Sequence, residues 1–285
     1  MKIRTLGMFV NRQKKAGLAL IPRVESACSA AGVALLAESA VPGAAPVEVF
    51  GNVDAVLVLG GDGTILRTVA RMGNHRKPVL GVNLGTLGFL AECMPDQLAL
   101  AIARLAAGEY WLEERMLLHA RMEDEDSVVT ALNDVVISRG SFSHMIHVDT
   151  YVDGALCARY EGDGAIVASP TGSTAYSLSV GGPVVAPDLN CFVLAPISPH
   201  TLSSRPLVVS ASSRVRMEVT PREEDGGMLL SVDGSPPRIL RSRSALHVRR
   251  CSRSLPFVRF GENRFYALLQ SKLSQWGGAM PPDES

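Results

Sequence analysis

The spacing of hydrophobic positions along the chain changes near its middle. From residue 3 to about residue 107, short apolar runs alternate with longer alanine-rich stretches, which is typical of strands and helices that build a parallel sheet. The predicted strands are IRTLGMFV, VALLAE, DAVLVL and KPVLGVN. Helices are predicted over most of residues 15–31, over ILRTVARM and over about residues 95–107, and Gly32 is well placed to end the first of them.

After about residue 115 the period changes to two. RVRMEVT alternates strictly and predicts a half-exposed antiparallel strand, and Asp-Gly pairs at 153–154 and 233–234 predict hairpin turns. ENRFYALLQSKLSQWG is helical again, with one apolar stripe formed by Phe265, Leu268, Leu269 and Leu273. The pattern predicts an α/β domain with a parallel sheet (1–115), a β-rich, antiparallel, sandwich-like domain (116–260) and a C-terminal helical segment (261–285).

Composition and charge narrow the class of protein. The 285 residues are 47% apolar and 20% charged, so a sizeable core is expected. Lys plus Arg equals Asp plus Glu at 28 each, and this zero net charge argues against nucleic-acid binding. The five cysteines include no CxxC pair, no apolar run approaches the roughly 20 residues of a membrane helix, and no signal sequence is recognisable. A cytoplasmic protein without membrane contact is expected.

The strongest local motif is GGDGT at residues 60–64, between a buried predicted strand and a predicted helix. Glycines let the backbone N–H groups surround phosphate oxygens, and the helix N-terminus favours negative charge at the same place. A carboxylate beside phosphate suggests a specific task, either holding magnesium or accepting a proton, so Asp62 is the catalytic candidate. The alternative is a tight turn in which Asp62 caps the helix. The motif matches neither a P-loop nor GxGxxG.

A second polar cluster follows in GDGAIVASPTGSTAY at residues 162–176. Its hydroxyl side chains are suited to hydrogen bonds with a ribose, a phosphate or a base edge, although an ordinary loop and helix cap would look similar. Asn133 and Asp134 in ALNDVVI stand at the start of an apolar strand and either bind ligand or end a turn.

The order of the motifs is more specific than any one of them. GGDGT, GVNLGTLGFLAE, LNDVVI, GDGAIVASPTGSTAY and PHTLSSRPLVV, over a chain of this size, resemble the NAD kinase family, particularly its bacterial members. The resemblance implies that the 2′-hydroxyl of the adenosine ribose of NAD attacks the terminal phosphate of ATP, giving NADP and ADP. It also implies Mg²⁺ or another divalent cation, without a direct metal motif here, a homodimer or homotetramer, and a last segment that returns to the first domain.

The resemblance also implies roles for individual residues. Asp62 would be the general base or its equivalent. The residues expected at the phosphates are Gly60, Gly61, Thr64 and Arg67. Those expected at NAD are Gly63, Phe89 on the adenine, Asn133, Asp134, Asp163, Thr171, Thr174, Ala175, Tyr176 and Ser179.

Two positions depart from the family pattern. Asp134 stands where many relatives have glutamate, and Glu161 stands where several relatives that use only ATP have arginine. The choice between ATP and polyphosphate therefore stays open, as does that between NAD and NADH. The rival functions are a lipid or diacylglycerol kinase, which shares GGDGT but not the second motif, and a nicotinamide-nucleotide sensor that binds without turnover.

Overall fold

A computed structural model describes residues 1–11, 13–38, 48–140, 145–201, 203–220, 227–240, 244–262 and 264–276. The first part of the chain forms β1 (Thr5–Val10), α1 (Lys15–Ala31), β2 (Ala34–Glu38), α2 (Glu48–Gly51), β3 (Ala55–Leu59), α3 (Asp62–Met72), β4 (Val79–Val82), α4 (Leu98–Ala107) and β5 (Trp111–Arg115). The second part forms β6 (Leu118–Met122), β7 (Val129–Ala131), β8 (Asp134–Arg139), β9 (Ile146–Val152), β10 (Ala155–Gly162), β11 (Gly164–Ala168), α5 (Tyr176–Ser179), β12 (Cys191–Ile197), β13 (Leu207–Ser210), β14 (Val215–Thr220), β15 (Met228–Val232), β16 (Arg238–Leu240) and β17 (Ser244–Arg250). The chain ends in β18 (Leu255–Arg259) and α6 (Phe265–Trp276).

The first sheet is mostly parallel, as the sequence predicts. Its strand order is β2-β1-β3-β4-β18-β5, and only the β18–β5 pair is antiparallel. Apolar clusters cover both faces, so the central strand β3 is buried along its whole length. The predicted first helix is also confirmed, since α1 ends at Gly32 in the left-handed conformation (φ 66°).

The carboxyl ends of β3 and β4 lie side by side in this sheet. GGDGT follows the first of these ends, and the loop LGTLGFL follows the second. Ligands of open α/β sheets bind beyond the carboxyl ends of the strands, so the topology places both glycine-containing loops where a site is expected.

Two antiparallel sheets of six strands each form the second unit, with strand orders β10-β9-β14-β17-β6-β7 and β13-β12-β11-β8-β15-β16. Their facing sides bury one apolar cluster, which includes Leu118, Ile137, Val148, Phe192 and Met217. This confirms the predicted sandwich. Both Asp-Gly turns have positive φ at each central residue: 51° and 86° at 153–154, and 50° and 67° at 233–234.

The end of the chain returns to the first sheet. β18 pairs with β4 and β5, so the return begins at Leu255, whereas the sequence places it at residue 261. Helix α6 then brings the Phe265 ring 6.0 Å from the Phe89 ring. Its predicted apolar stripe is only partly covered, since Leu273 is 46% exposed. None of the helices in the described residues is both long and apolar enough to cross a membrane.

Candidate active site

The GGDGT turn carries β3 into α3 with little room for side chains. Gly60 donates its N–H to the Val82 carbonyl at 3.0 Å, and a Cβ on Gly60 would lie 2.4 Å from the Thr64 hydroxyl oxygen. Gly61 is the extended residue before α3, and its carbonyl accepts the Thr64 N–H at 2.8 Å, whereas the first two N–H groups of the helix have no carbonyl partner within it. Thr64 accepts a hydrogen bond from Arg67 at 3.3 Å. The turn therefore has the backbone form that a phosphate site requires.

The Asp62 carboxylate joins the two loops. Its Oδ2 accepts the Phe89 N–H at 2.9 Å, and its Oδ1 accepts the Leu90 N–H at 3.3 Å. Asp62 is the first residue of α3, and its carboxylate accepts hydrogen bonds from the N–H groups of the second loop. Burial raises the pKa of Asp62, while these N–H donors and the Lys272 ammonium of α6 oppose the rise. A carboxylate has about four acceptor positions, so acceptor capacity remains for a substrate proton.

Two further residues shape this loop, and the sequence analysis did not identify either of them. A Cβ on Gly88 would lie 2.2 Å from the Asp62 Oδ1, so only glycine allows the carboxylate to approach. Asn83 is buried at the end of β4, where it accepts the Gly85 N–H at 3.1 Å and donates to the Thr86 carbonyl. The second glycine of LGTLGFL was the available signal for Gly88.

A groove of about 460 Å³ lies between the first and second units. Leu66 of α3 lines one side, and the other lining residues include Asn133, Asp134, Ala175, Tyr176 and Asp233. The structure therefore brings together four residues predicted for NAD, at the starts of β8 and α5, beside the helix that follows GGDGT. The lining of this groove does not include Asp163, Thr171, Thr174 or Ser179.

Asp233 organises the start of β8. Its carboxylate accepts the N–H groups of Leu132, Asn133 and Asp134 at 2.8, 2.7 and 3.1 Å. The sequence indicated only a hairpin turn here, because the partners are about 100 residues away. Burial, and then the Asp233 charge, raise the pKa of Asp134 to about 7. Asp134 is therefore a carboxyl group that exchanges a proton near neutral pH.

The PTGSTAY segment packs directly on the backbone of Asn133. A Cβ on Gly172 would lie 2.1 Å from the Asn133 carbonyl oxygen, so the two backbones cross in contact. Thr171 accepts a hydrogen bond from Arg115 at 3.3 Å, and the Thr174 hydroxyl donates to the Thr171 carbonyl at 3.2 Å. Ser179 is exposed at the end of α5.

The side chains of Asp163 and Glu161, which precede the PTGSTAY segment, are partly exposed. Asp163 forms an ion pair with Arg139 at 3.0 Å. Burial raises the pKa of the Tyr176 hydroxyl, and the Asp163 and Asp134 charges add to the shift. Glu161 lies 3.8 Å from the His147 ring nitrogen, with its side chain 45% exposed.

Two family models cover most of the chain. Residues 6–110 match the ATP-NAD kinase N-terminal domain, and residues 132–260 match the ATP-NAD kinase C-terminal domain. An NAD kinase of Symbiobacterium thermophilum is 40% identical over 278 residues, which are 94% of this chain and 98% of that protein. The chain belongs to the NAD kinase family. An NAD kinase of Moorella thermoacetica is 43% identical over 235 residues, covering 81% of this chain and 74% of the relative.

Solved structures of NAD and NADH kinases share the fold. Yeast NADH kinase complexed with NADH superposes with a TM-score of 0.87 at 26% identity, covering 100% of this chain and 91% of the yeast chain. An NAD kinase from Archaeoglobus fulgidus in complex with ATP gives a TM-score of 0.77 at 26% identity, covering 94% and 98%. Membership of the NAD kinase family confirms the resemblance seen in the motifs. The function is that of a phosphotransferase with an alcohol acceptor, and the lipid-kinase and sensor alternatives are not favoured.

The raised pKa of Asp134 predicts a pH-dependent stability. Between about pH 4 and pH 7 the folded chain keeps a proton that the unfolded chain releases, so this residue makes the free energy of unfolding fall as the pH rises. Asp134→Asn removes that dependence. Relative to wild type, we expect the variant to gain about 2 kcal/mol when the pH rises from about 5 to about 8.

Urea unfolding at both pH values measures this difference. An Asp188→Asn variant, at an exposed position, is the control and should parallel wild type. Equal pH dependence in wild type and Asp134→Asn would show that Asp134 does not retain its proton in the folded chain.

Proposed function

We propose that Asp62 is the general base of NADP synthesis from NAD and ATP. The observation that carries the proposal is the fixed position of its carboxylate, between the N-terminus of α3 and the loop at 89–90. The 2′-oxygen of the adenosine ribose forms a bond to the terminal phosphorus, the bond from that phosphorus to the bridging oxygen breaks, and ADP leaves. The hydroxyl proton passes to Asp62, whose raised pKa brings its basicity closer to neutral pH.

The donor phosphates are assigned to Gly60, Gly61, Thr64 and Arg67. Phosphoryl transfer depends mainly on alignment and on neutralising charge, so N–H groups at a helix N-terminus and one guanidinium supply what it needs. Arg67 supports this assignment because it is exposed and is already held at Thr64 by a hydrogen bond. ATP is the proposed donor, since a relative with a TM-score of 0.77 is described in complex with ATP.

NAD is assigned to the groove between the two units. The residues proposed to contact it are Gly63, Phe89, Asn133, Asp134, Asp163, Thr171, Thr174, Ala175, Tyr176 and Ser179. Asp134 is suited to its place because a carboxyl group with a pKa of about 7 can donate as well as accept a hydrogen bond. The Phe89 ring, near the Phe265 ring, supplies an aromatic surface for the adenine.

A divalent cation fits this site as part of the nucleotide. In the described residues, no group of three or more His, Cys, Asp and Glu side chains is arranged to hold a metal by itself. Mg²⁺ at a triphosphate needs only one or two protein carboxylates, and Asp62 is the carboxylate of the GGDGT turn. The ion would neutralise phosphate charge when bound.

We also propose a cytoplasmic homodimer or homotetramer. Of the predicted bounds, 1–115, 116–260 and 261–285, we move the start of the returning segment to Leu255, where β18 joins the first sheet. All five cysteines are free and four are buried, which suits a reducing compartment. The partly exposed apolar stripe of α6, where Leu273 is 46% exposed, offers a surface for association.

NADP formation is the direct test of this function. Purified protein with NAD, ATP and Mg²⁺ should produce NADP, detected with an NADP-specific dehydrogenase. A parallel reaction with polyphosphate in place of ATP establishes the phosphate donor, which Glu161 leaves open. A reaction with NADH in place of NAD establishes which form of the dinucleotide is phosphorylated. NAD binding without any NADP, with every donor, would instead favour a sensor.

A further inference from the structure

Four buried charged residues form a network within the first unit, around its strands β5 and β18. Glu92, Glu113, Arg115 and Arg259 are each 9% exposed or less. Glu113 Oε2 lies 2.7 Å from Arg115 Nη2 and 2.7 Å from Arg259 Nε, and Arg259 Nη1 lies 3.2 Å from Glu92 Oε2. Burial alone would raise the pKa of Glu113, but the two guanidinium groups hold it below its usual range.

The antiparallel pair β5–β18 sets this arrangement. Glu113 and Arg115 are two residues apart and so share one face of β5, while Glu113 stands opposite Phe257 on β18. Arg115 and Arg259 lie over the Phe257 ring, with guanidinium carbons 5.8 and 5.5 Å from its centroid. Buried charges that are paired and stacked in this way are costly to rearrange, so the network is stiff.

Each end of the network reaches a loop of the active site. At one end, Arg115 Nη1 donates to the Thr171 hydroxyl at 3.3 Å. At the other end, Arg259 Nη1 donates to the Leu90 carbonyl at 3.2 Å, and the Leu90 N–H donates to Asp62. A continuous chain of polar contacts therefore runs from the PTGSTAY segment to the proposed base.

We propose that Arg115 is a positioning residue that fixes the segment carrying Thr171 against the loop that holds Asp62. The inference rests on the proposed roles of Asp62 and Thr171. Arg115 is suited to this task because its planar fork bonds Glu113 and Thr171 through two different nitrogens, whereas a lysine presents one compact ammonium group. A displacement of about 1 Å between reacting groups can cost about 10²-fold in rate, so a stiff connection is valuable in phosphoryl transfer.

The test is the effect of Arg115→Lys on kcat and KM. The substitution keeps the charge but loses the fork, so we expect kcat to fall about 10- to 100-fold. The KM and Kd for NAD should change less than about threefold, because the groove contacts remain. Arg216→Lys is the matched control: Arg216 also pairs with a glutamate two residues along its strand and lies over an aromatic ring, but on the sandwich. It should keep the wild-type kcat.

Arg259→Lys tests the other end and remains informative if Arg115→Lys does not fold. It should lower kcat with the same small change in KM. Since both arginines act through one network, the double variant should be far less impaired than the product of the two single losses predicts. Wild-type kcat in a folded Arg115→Lys or Arg259→Lys, a KM increase as large as the kcat loss, or independent effects would overturn the proposal. Wild type assayed in parallel separates this result from failure of the proposed function, because an inactive wild type would remove both proposals.

Discussion

Asp62→Asn is expected to lower kcat by about 10²- to 10⁴-fold, the range of general-base catalysis, while NAD still binds. The asparagine side chain has nearly the same shape, but its amide cannot accept the ribose proton. The Phe89 and Leu90 N–H groups now share one carboxylate, and in the variant only the amide oxygen can accept from them. Single-turnover rates and NAD titrations separate the loss of chemistry from any loss of binding.

The pH profile gives an independent measurement for the same variant. In wild type the acidic side of the kcat profile should report ionisation of Asp62, whose pKa burial raises. The part of the acidic side that Asp62 causes should be absent in Asp62→Asn, whereas any part that Asp134 causes, with its pKa of about 7, should remain. Asp96→Asn, at an exposed carboxylate of the turn before α4, is the control and should match wild type. Near-wild-type kcat in Asp62→Asn would remove Asp62 from the mechanism.

The elements could be predicted from the sequence wherever their signal is local. AVLVL is apolar throughout because both faces of β3 are covered, and RVRMEVT alternates because β14 has one buried face. Both Asp-Gly turns follow from their own two residues. The position of β18 in the first sheet could not be predicted from a local signal. SLPFVRF resembles any buried strand, and only its pairing with β4 and β5, more than 100 residues earlier, puts it in the first sheet.

The candidate site shows the same difference between local sequence signals and long-range contacts. Asp62 was predictable because glycines surround it between a strand and a helix. Its hydrogen bonds from the N–H groups of Phe89 and Leu90, 27 and 28 residues later, were not predictable, because they depend on adjacent strand ends. Asp233 and Arg115 are further examples, since they reach Asn133 and Thr171 across 100 and 56 residues. Sequence therefore proposes the groups that carry chemistry, and the fold shows which residues hold those groups in place.

Gly88→Ala should be nearly as damaging as loss of the base itself. The added Cβ would lie 2.2 Å from Asp62 Oδ1 and 2.4 Å from its Cγ, so the carboxylate or the loop must move. Either movement breaks the hydrogen bonds from residues 89 and 90 and displaces the base. A shift of about 1 Å can cost about 10²-fold in rate, and we expect kcat to fall by at least about that factor.

Gly85→Ala is the matched control within the same loop. A Cβ on Gly85 meets no atom of the described residues within 4 Å, and the alanine keeps the N–H that donates to Asn83. The kcat should therefore stay within about twofold of wild type. Because Gly88→Ala acts through Asp62, adding it to Asp62→Asn should cause little further loss, whereas two independent defects would multiply. Wild-type kcat in Gly88→Ala would mean that the loop yields without moving the carboxylate, and the contact between Asp62 and residues 89–90 would then have no part in positioning the base.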